Sequence, residues 1–180
     1  MAKLKFVTLI FLLMIIGCTA KYMPLKEAGV SISEEFGVVK TKDFVFAAEN
    51  RYWVKEPTEL TNYFTTFYVS IRNRSSELHE IKMNDFALID EAGNQYDIIS
   101  NEYIEILIQP SQFDYLSLDK DSDSELIDIS DIIDEEKNLL EKWRKGKENL
   151  IRYSFRFGNL HAGARKSGFI FFPRLAESNK

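Results

Sequence analysis

The amino-acid sequence predicts a mainly β fold, an antiparallel β-sandwich with one inserted α-helix. Short runs rich in Val, Ile, Phe and Tyr recur along the chain with turn residues between them, and the longest run alternates with a period of two. Such spacing of short strands is typical of all-β sandwiches. One stretch in the second half has apolar residues at helical spacing instead, and it predicts the helix.

The first predicted strands precede Pro57. Residues 38–39, 44–46 and 52–54 are short runs of β-branched and aromatic residues, and Pro57 ends the pattern. Because proline cannot donate to a sheet ladder, the third strand is expected to end before it.

The clearest predicted strand covers residues 62–72. Its side chains fall into two sets that alternate along the strand, and this period of two predicts a strand buried on one face. One face carries Thr65, Phe67, Val69 and Ile71, and the other carries Thr66, Tyr68, Ser70 and Arg72.

A hairpin is predicted next, after turn residues 73–77. The segments 86–90 and 95–99 are expected to pair, because Gly93 and Asn94 between them tolerate a positive φ. Segments 103–108 and 113–118 are predicted as two further strands, or one interrupted strand, around the turn at Pro110.

Charge changes abruptly after these strands. Residues 119–136 contain nine acidic side chains and one lysine, a net charge of −8, whereas residues 137–180 carry a net charge of +8. The junction is predicted to be a helix that Ser130 or Asp131 caps and Gly146 ends. Its apolar residues recur at helical spacing: Ile132, Ile133, Leu139, Leu140 and Trp143.

Two strands are predicted to close the domain. Residues 151–157 alternate again, and a loop over 158–168 leads into an apolar strand at 169–172 that Pro173 ends. The inward residues of the first strand are expected to be Ile151, Tyr153, Phe155 and Phe157.

The N-terminus has the pattern of a secretory signal peptide. Lys3 and Lys5 precede an apolar run of about 11 residues, which at about 1.5 Å per residue is too short to cross a bilayer core of about 30 Å. The run ends in Ile15, Ile16, Gly17 and Cys18, which resembles the lipobox of bacterial lipoproteins. The alternatives are an ordinary secretory signal that contains a cysteine, or a small core thiol.

This resemblance implies cleavage between Gly17 and Cys18 and acylation of the Cys18 sulfur, for example with palmitate. Cys18 is the only cysteine, so it forms no internal disulfide. Two or more acyl chains anchor a protein stably, each buried methylene contributing about 0.8 kcal/mol. The predicted organisation is a lipoprotein signal peptide at 1–17, a lipidated tether at 18–33, and a sandwich domain at 34–180 with an acidic and helical insertion at 119–148.

Location follows from the same residues. The protein is expected in the cell envelope, attached to the membrane by its N-terminal lipid. Thr19, rather than Asp, follows the cysteine, and in a Gram-negative host this resemblance implies the outer membrane.

The net charge of −5, which becomes −7 without Lys3 and Lys5, argues against nucleic acid as a partner, since nucleic-acid binding rests on lysine and arginine.

Three stretches, FYVSIRNRSSE, FALIDEAGNQYD and NLHAGARKSGFIFFP, resemble the bacterial secreted and lipoprotein immunoglobulin-like domains related to the mycobacterial immunoprotective antigen. The resemblance covers about half of the mature chain and implies an immunoglobulin-like sandwich of largely undefined molecular function. Such domains are not expected to carry the insertion at 119–148. The matching positions are Val69, Ile71, Asn73, Leu88, Asp90, Gly93, Gly163, Gly168 and Phe171.

The expected function is binding or structural support in the envelope, with no reaction. An alternative is an accessory or chaperone-like subunit that docks a protein partner through the inserted helix. Its candidate partner surface is Leu139, Leu140 and Trp143, if they are exposed together. An envelope hydrolase is the third possibility, but no catalytic motif occurs and no catalytic residue is assigned.

Neither candidate metal site in the sequence has a complete set of ligands. Asp119, Asp121, Asp123 and Glu125 match four positions of a calcium loop, but Ser124 and Ser130 replace its glycine and its bidentate glutamate. A solvated acidic loop is therefore expected. His79 and His161 lack further zinc ligands, so neither a metal nor a cofactor is expected.

An aromatic pair, Tyr52 and Trp53, has two interpretations. It is either a platform on which sugars stack or part of the core, and the core is favoured.

Overall fold

The computed structural model describes residues 22–24, 29–110 and 129–175, with side chains of the long helix described from residue 137 onward. Within those ranges the fold is mainly β and antiparallel, as predicted. The elements in chain order are β1 (Val30–Ser33), β2 (Phe36–Lys40), β3 (Phe44–Asn50), α1 (Leu60–Tyr63), β4 (Phe64–Asn73), β5 (His79–Ile81), a 3-10 turn (Met83–Asp85), β6 (Ala87–Ile89), β7 (Gln95–Asp97), α2 (Asn101–Leu107), α3 (Ile129–Tyr153), β8 (Gly158–Leu160) and β9 (Arg165–Pro173).

A five-stranded antiparallel sheet forms the centre of the described residues. Its strand order is β1-β2-β3-β4-β9, so the C-terminal strand β9 pairs with β4 in the middle of the sequence. Two short antiparallel pairs, β5-β8 and β6-β7, accompany it. The predicted strands at 38–39, 44–46, 62–72 and 169–172 are confirmed, although β4 begins only at Phe64.

Strand β4 has apolar neighbours on both faces. Val69 and Ile71 share one face, as predicted, and Phe64 and Tyr68 share the other. The expectation of a strand buried on one face is therefore incomplete, because the start of β4 is covered on both sides.

The first face packs on what we call the hairpin layer, formed by the short strand pairs and the segment after α3. Side chains from the middle and from the C-terminal part of the chain meet in this layer, which removes them from water. The residues buried between this layer and the five-stranded sheet are Val69, Ile71, Ile81, Phe155, Leu160, Ile170 and Phe172.

The second face packs on the helical layer, formed by the helices and the segment around Trp53. The aromatic rings of β9 alternate between the two layers because successive strand residues point to opposite faces. The buried residues here are Trp53, Leu60, Phe64, Ile104, Leu150, Phe169 and Phe171.

Residues 52–54 do not form the predicted strand. Trp53 is 1% exposed and packs in the helical layer, so the interpretation of Trp53 as core is confirmed. A sugar platform at this position is excluded, since a buried indole offers no face to a ligand.

The predicted hairpin is confirmed. Strands β6 and β7 pair across a turn in which Gly93 has φ of 85°. Asp90 Oδ1 accepts a hydrogen bond from the Asn94 amide at 2.8 Å, and its Oδ2 accepts one from Tyr96 Oη at 3.0 Å. Hydrogen bonds from Asn94 lower the pKa of Asp90, and the hydrogen bond to Asp90 raises the pKa of Tyr96.

The predicted strand at 103–108 is wrong, because residues 103–107 belong to helix α2 and Ile108 is its C-cap. The Ser100 hydroxyl accepts a hydrogen bond from the Tyr103 amide at 3.2 Å, which caps the helix N-terminus. Ile104 is fully buried and Ile108 lies one turn later, half-buried on the same face. The predicted strand at 113–118 lies outside the described residues.

Helix α3 is longer than predicted and continues through Gly146 to Tyr153. A Cβ at position 146 would lie 2.8 Å from Cδ of Pro57 and 3.2 Å from Cδ1 of Ile108. Gly146 therefore allows close packing of the helix and does not end it.

The predicted strand at 151–157 is wrong, because residues 151–153 are helical and Ser154 makes only an isolated bridge to Phe169.

The folded body begins before the predicted boundary at residue 34. Strand β1 lies inside the segment predicted as a tether, and it pairs with β2. Upstream, the Tyr22 amide donates to Asn50 Oδ1 at 2.9 Å, and Pro24 lies against Gly37. Residues 22–24 and 30–33 of the predicted tether are therefore held against the sheet.

The side chain of Asn73 joins three parts of the chain. Its Nδ2 donates to the carbonyls of Glu77 at 2.7 Å and Leu160 at 3.1 Å, and its Oδ1 accepts from the Ser75 amide at 2.9 Å. We expect Asn73→Ala to lower the free energy of unfolding by about 2 kcal/mol, because it leaves buried groups unpaired. Urea denaturation measures the loss, and exposed Asn84→Ala is the control; equal, small losses would contradict the expectation.

Candidate functional site

An apolar cleft of about 520 Å³ opens at one end of the five-stranded sheet. It lies where β4 begins and β9 ends, beside helices α1 and α2. The lining residues are Pro57, Glu59, Leu60, Tyr63, Phe64, Ile99, Tyr103, Leu107, Ile108, Pro173 and Arg174.

Backbone pairing positions the walls of the cleft. The Ile99 amide donates to the Phe171 carbonyl at 2.8 Å, which fixes the start of α2 beside the end of β9. On the other wall, α1 runs directly into β4, so Leu60 and Phe64 enter the helical layer together. The cleft is therefore a gap between packed elements rather than a loop surface.

The mouth of the cleft presents large apolar side chains to solvent. Tyr63 is 67% exposed, Tyr103 is 52% exposed and Leu107 is 53% exposed. Tyr103 and Leu107 are four residues apart, so they share a face of α2. Exposed aromatic and aliphatic residues around a concave apolar wall are typical of ligand sites.

Two charged residues of opposite sign border the cleft. Glu59 and Arg174 are both exposed, and Arg174 Nη1 donates to the Asn62 carbonyl at 2.6 Å. The Leu175 amide donates to Thr65 Oγ1 at 3.1 Å, so the segment after β9 is attached to the start of β4. The cleft therefore has a rigid wall with few polar groups, which suits an apolar ligand better than a charged one.

The candidate partner surface on α3 is not a single exposed patch. Leu140 is 44% exposed, but Leu139 and Trp143 are half-buried on the side of the helix that continues to buried Leu150. Lys147 Nζ lies 5.7 Å from the Trp143 ring centroid. Trp143 Nε1 is buried, so this edge of the indole is not exposed to a partner.

Other predicted site residues lie outside the described ranges. These are Gly17 and Cys18 at the signal cleavage site and the acidic residues at 119–125. Among the described residues, no group of three or more His, Cys, Asp or Glu side chains could hold a metal ion.

The two histidines occupy different environments. His79 belongs to β5 rather than a loop, and its Nε2 lies 3.0 Å from Ser75 Oγ, while Phe44 contacts its ring edge-on. His161 is exposed beyond β8. Ser75 Oγ also donates to Asn73 Oδ1 at 2.8 Å, so the serine holds a turn. Within the described ranges no carboxylate contacts His79, so the Ser75–His79 pair lacks a catalytic acid.

Comparison with known proteins adds no relative. No family model, curated protein or solved structure matches the chain. None of the helices in the described ranges combines the length and apolar character needed to cross a bilayer.

Sequence reasoning missed the cleft residues. Tyr103 and Leu107 lie in one predicted strand, and Tyr63 lies near the start of another. The signal that identifies α2 is Ser100 as a cap, followed by Ile104 and Ile108 at helical spacing.

Proposed function

We propose that this chain is a lipid-anchored lipoprotein of the cell envelope that acts as a binding or structural module and catalyses no reaction. The lipobox-like sequence that ends in Cys18 carries this proposal. In a Gram-negative host the anchor, with Thr19 after Cys18, belongs to the outer membrane.

The body is proposed to be an immunoglobulin-like β-sandwich, of the kind found in the secreted immunoprotective-antigen-like family. Support comes from the hairpin layer, in which β5-β8 and β6-β7 pack across the five-stranded sheet. Asn73 ends β4, and Gly93 lies in the turn between β6 and β7; both are among the positions that match the family.

The binding site of this module is the cleft at the end of the sheet. Tyr63, Tyr103 and Leu107 would contact an apolar ligand, and burying their exposed area contributes about 25 cal/mol per Å². Glu59 and Arg174 at the border would restrict how a ligand enters.

Anchoring gives the decisive experiment. Cells that express the full chain are labelled with a tagged fatty acid, and the envelope and soluble fractions are compared. The wild-type protein should carry label in the envelope, and Cys18→Ser should lose both label and envelope attachment, because no acyl chain remains. A labelled, envelope-bound Cys18→Ser protein would refute the proposal.

A second candidate function is that of an accessory or chaperone-like subunit, docked through the outer side of α3. The exposed fraction of Leu140 favours it. Capture from detergent-solubilised envelopes tests it: Leu140→Ser and Trp143→Ala should each reduce recovery of the captured partner. If neither substitution changes what is recovered, α3 is not the contact.

A further inference from the structure

Half of the twelve large apolar side chains that are exposed in the described residues lie on α1, on α2 or at positions 22–23. Six of them form what we call the apolar rim, and each is between 46% and 67% exposed. Tyrosines and long aliphatic residues make up the whole rim, and none of its residues is charged. The rim is Tyr22, Met23, Tyr63, Tyr103, Ile106 and Leu107.

The cleft end of the sheet holds the chain that leads to the anchor. The Tyr22 amide donates to Asn50 Oδ1, and Asn50 Nδ2 donates to the Thr66 carbonyl at 3.0 Å. Thr66 is two residues from Phe64, which lines the cleft. Tyr22 is therefore held near the start of β4, at the same end of the sheet as the cleft.

Chain length then limits the distance from this end to the membrane. Cys18 precedes Tyr22 by four residues, which span at most about 14 Å when extended. The other end of β4 lies nine residues from Phe64, about 30 Å along the strand. An anchor at Cys18 therefore brings the apolar rim, and not the opposite end, to the lipid surface.

We propose that the apolar rim is a lipid-facing surface, so that the cleft opens toward the bilayer. The inference rests on the proposed function, because it uses the anchor at Cys18. Tyrosine prefers the headgroup level of a bilayer, and aliphatic side chains enter the acyl boundary. Burial of the rim keeps the cleft facing the membrane instead of solvent.

Charge favours lipid insertion over electrostatic attraction. The rim itself is uncharged, and Glu59 and Arg174 at its border have opposite signs. Binding through buried apolar area needs no anionic lipid. Vesicles of zwitterionic phosphatidylcholine are therefore a sufficient probe.

Two leucines of equal exposure provide the test. Leu107 in the rim is 53% exposed, and Leu78 is 54% exposed. Leu78 follows Glu77, whose carbonyl accepts from Asn73 at the far end of β4. The acylated full chain is purified as Leu107→Cys or Leu78→Cys, labelled with a nitroxide and reconstituted in phosphatidylcholine vesicles. Electron paramagnetic resonance then compares collisions with oxygen, which enriches in lipid, and with a water-soluble nickel chelate.

The label at position 107 should show a severalfold higher ratio of oxygen to nickel collisions than the label at position 78. Equal, water-like ratios would overturn the inference. Thermal unfolding monitored by circular dichroism verifies that both variants fold.

Labelling of the wild-type chain separates this result from failure of the anchor. Cys18 is the only cysteine, and an acylated Cys18 accepts no nitroxide. If wild type is labelled, the proposed anchor is wrong. The two leucine variants are then made with Cys18→Ser and added to vesicles, where lipid contact at 107 alone supports the rim and its absence overturns it.

Discussion

Trp53→Ala is expected to lower the free energy of unfolding by about 4 kcal/mol, the largest loss that we predict for a single substitution. Trp53 is 1% exposed, and its ring centroid lies 5.3 Å from Phe169, 5.4 Å from Phe171 and 6.4 Å from Tyr153. Truncation removes these ring contacts and leaves a cavity between β9 and α3. The cavity cannot close by local collapse, because a paired strand and a helix form its walls.

Trp53→Phe is the matched control for this prediction. It keeps an aromatic ring in the helical layer and removes the Nε1–H, which is buried with no hydrogen-bond partner among the described residues. The loss should be about 1 kcal/mol, since relief of an unpaired donor offsets part of the lost volume. Urea denaturation followed by circular dichroism measures both variants. Equal losses for Ala and Phe would show that packing at this position is not what stabilises the layer.

Local patterns in the sequence were enough to predict most strands. β4 shows period-two alternation over nearly its whole length, and the β6-β7 turn contains Gly93 with the required positive φ. β9 contains consecutive aromatic residues before Pro173. Each of these signals lies within one element, so no knowledge of its neighbours is needed.

The errors have a different physical origin, because they depend on what packs against the segment. Gly146 resembles a helix end, but it is retained inside α3 for the close approach of Pro57. Residues 103–108 are apolar enough for a strand, and their helical signal, the cap at Ser100 and the spacing of Ile104 and Ile108, is short. Packing of Ile104 in the helical layer favours the helix. Tertiary packing therefore overrides local propensity at these positions.

The candidate site could not be predicted for the same reason. Its walls come from segments near residues 57–64, 99–108 and 173–174, which meet only after β9 has paired with β4. The sequence carries no alternation or spacing that relates them. Anchoring at Cys18, by contrast, is predicted from consecutive residues. The proposed orientation of the cleft toward the membrane requires this anchor together with the position of Tyr22 in the fold.

Gly168→Ala is expected to lower the free energy of unfolding by about 3 kcal/mol, the second largest loss. A Cβ at this position would lie 2.5 Å from the Phe155 amide nitrogen and 2.6 Å from the Ser154 carbonyl carbon. These atoms belong to the backbone, and the Phe155 amide also donates to the Phe169 carbonyl at 2.8 Å. The clash therefore cannot be relieved by rotating a side chain, and either β9 or the segment after α3 must move.

The neighbouring Ser167→Ala is the control for Gly168→Ala. Ser167 is exposed, and its Oγ accepts a hydrogen bond from Tyr68 Oη at 3.1 Å, so its loss should cost less than about 1 kcal/mol. A loss at Gly168 as small as that at Ser167 would contradict the close approach.

Because Phe155 lies in the hairpin layer and Phe169 in the helical layer, displacement at Gly168 should also loosen both layers at once. Hydrogen exchange should then increase at the amides of Phe155 and Ile99 together, whereas Trp53→Ala should increase exchange mainly on the helical side.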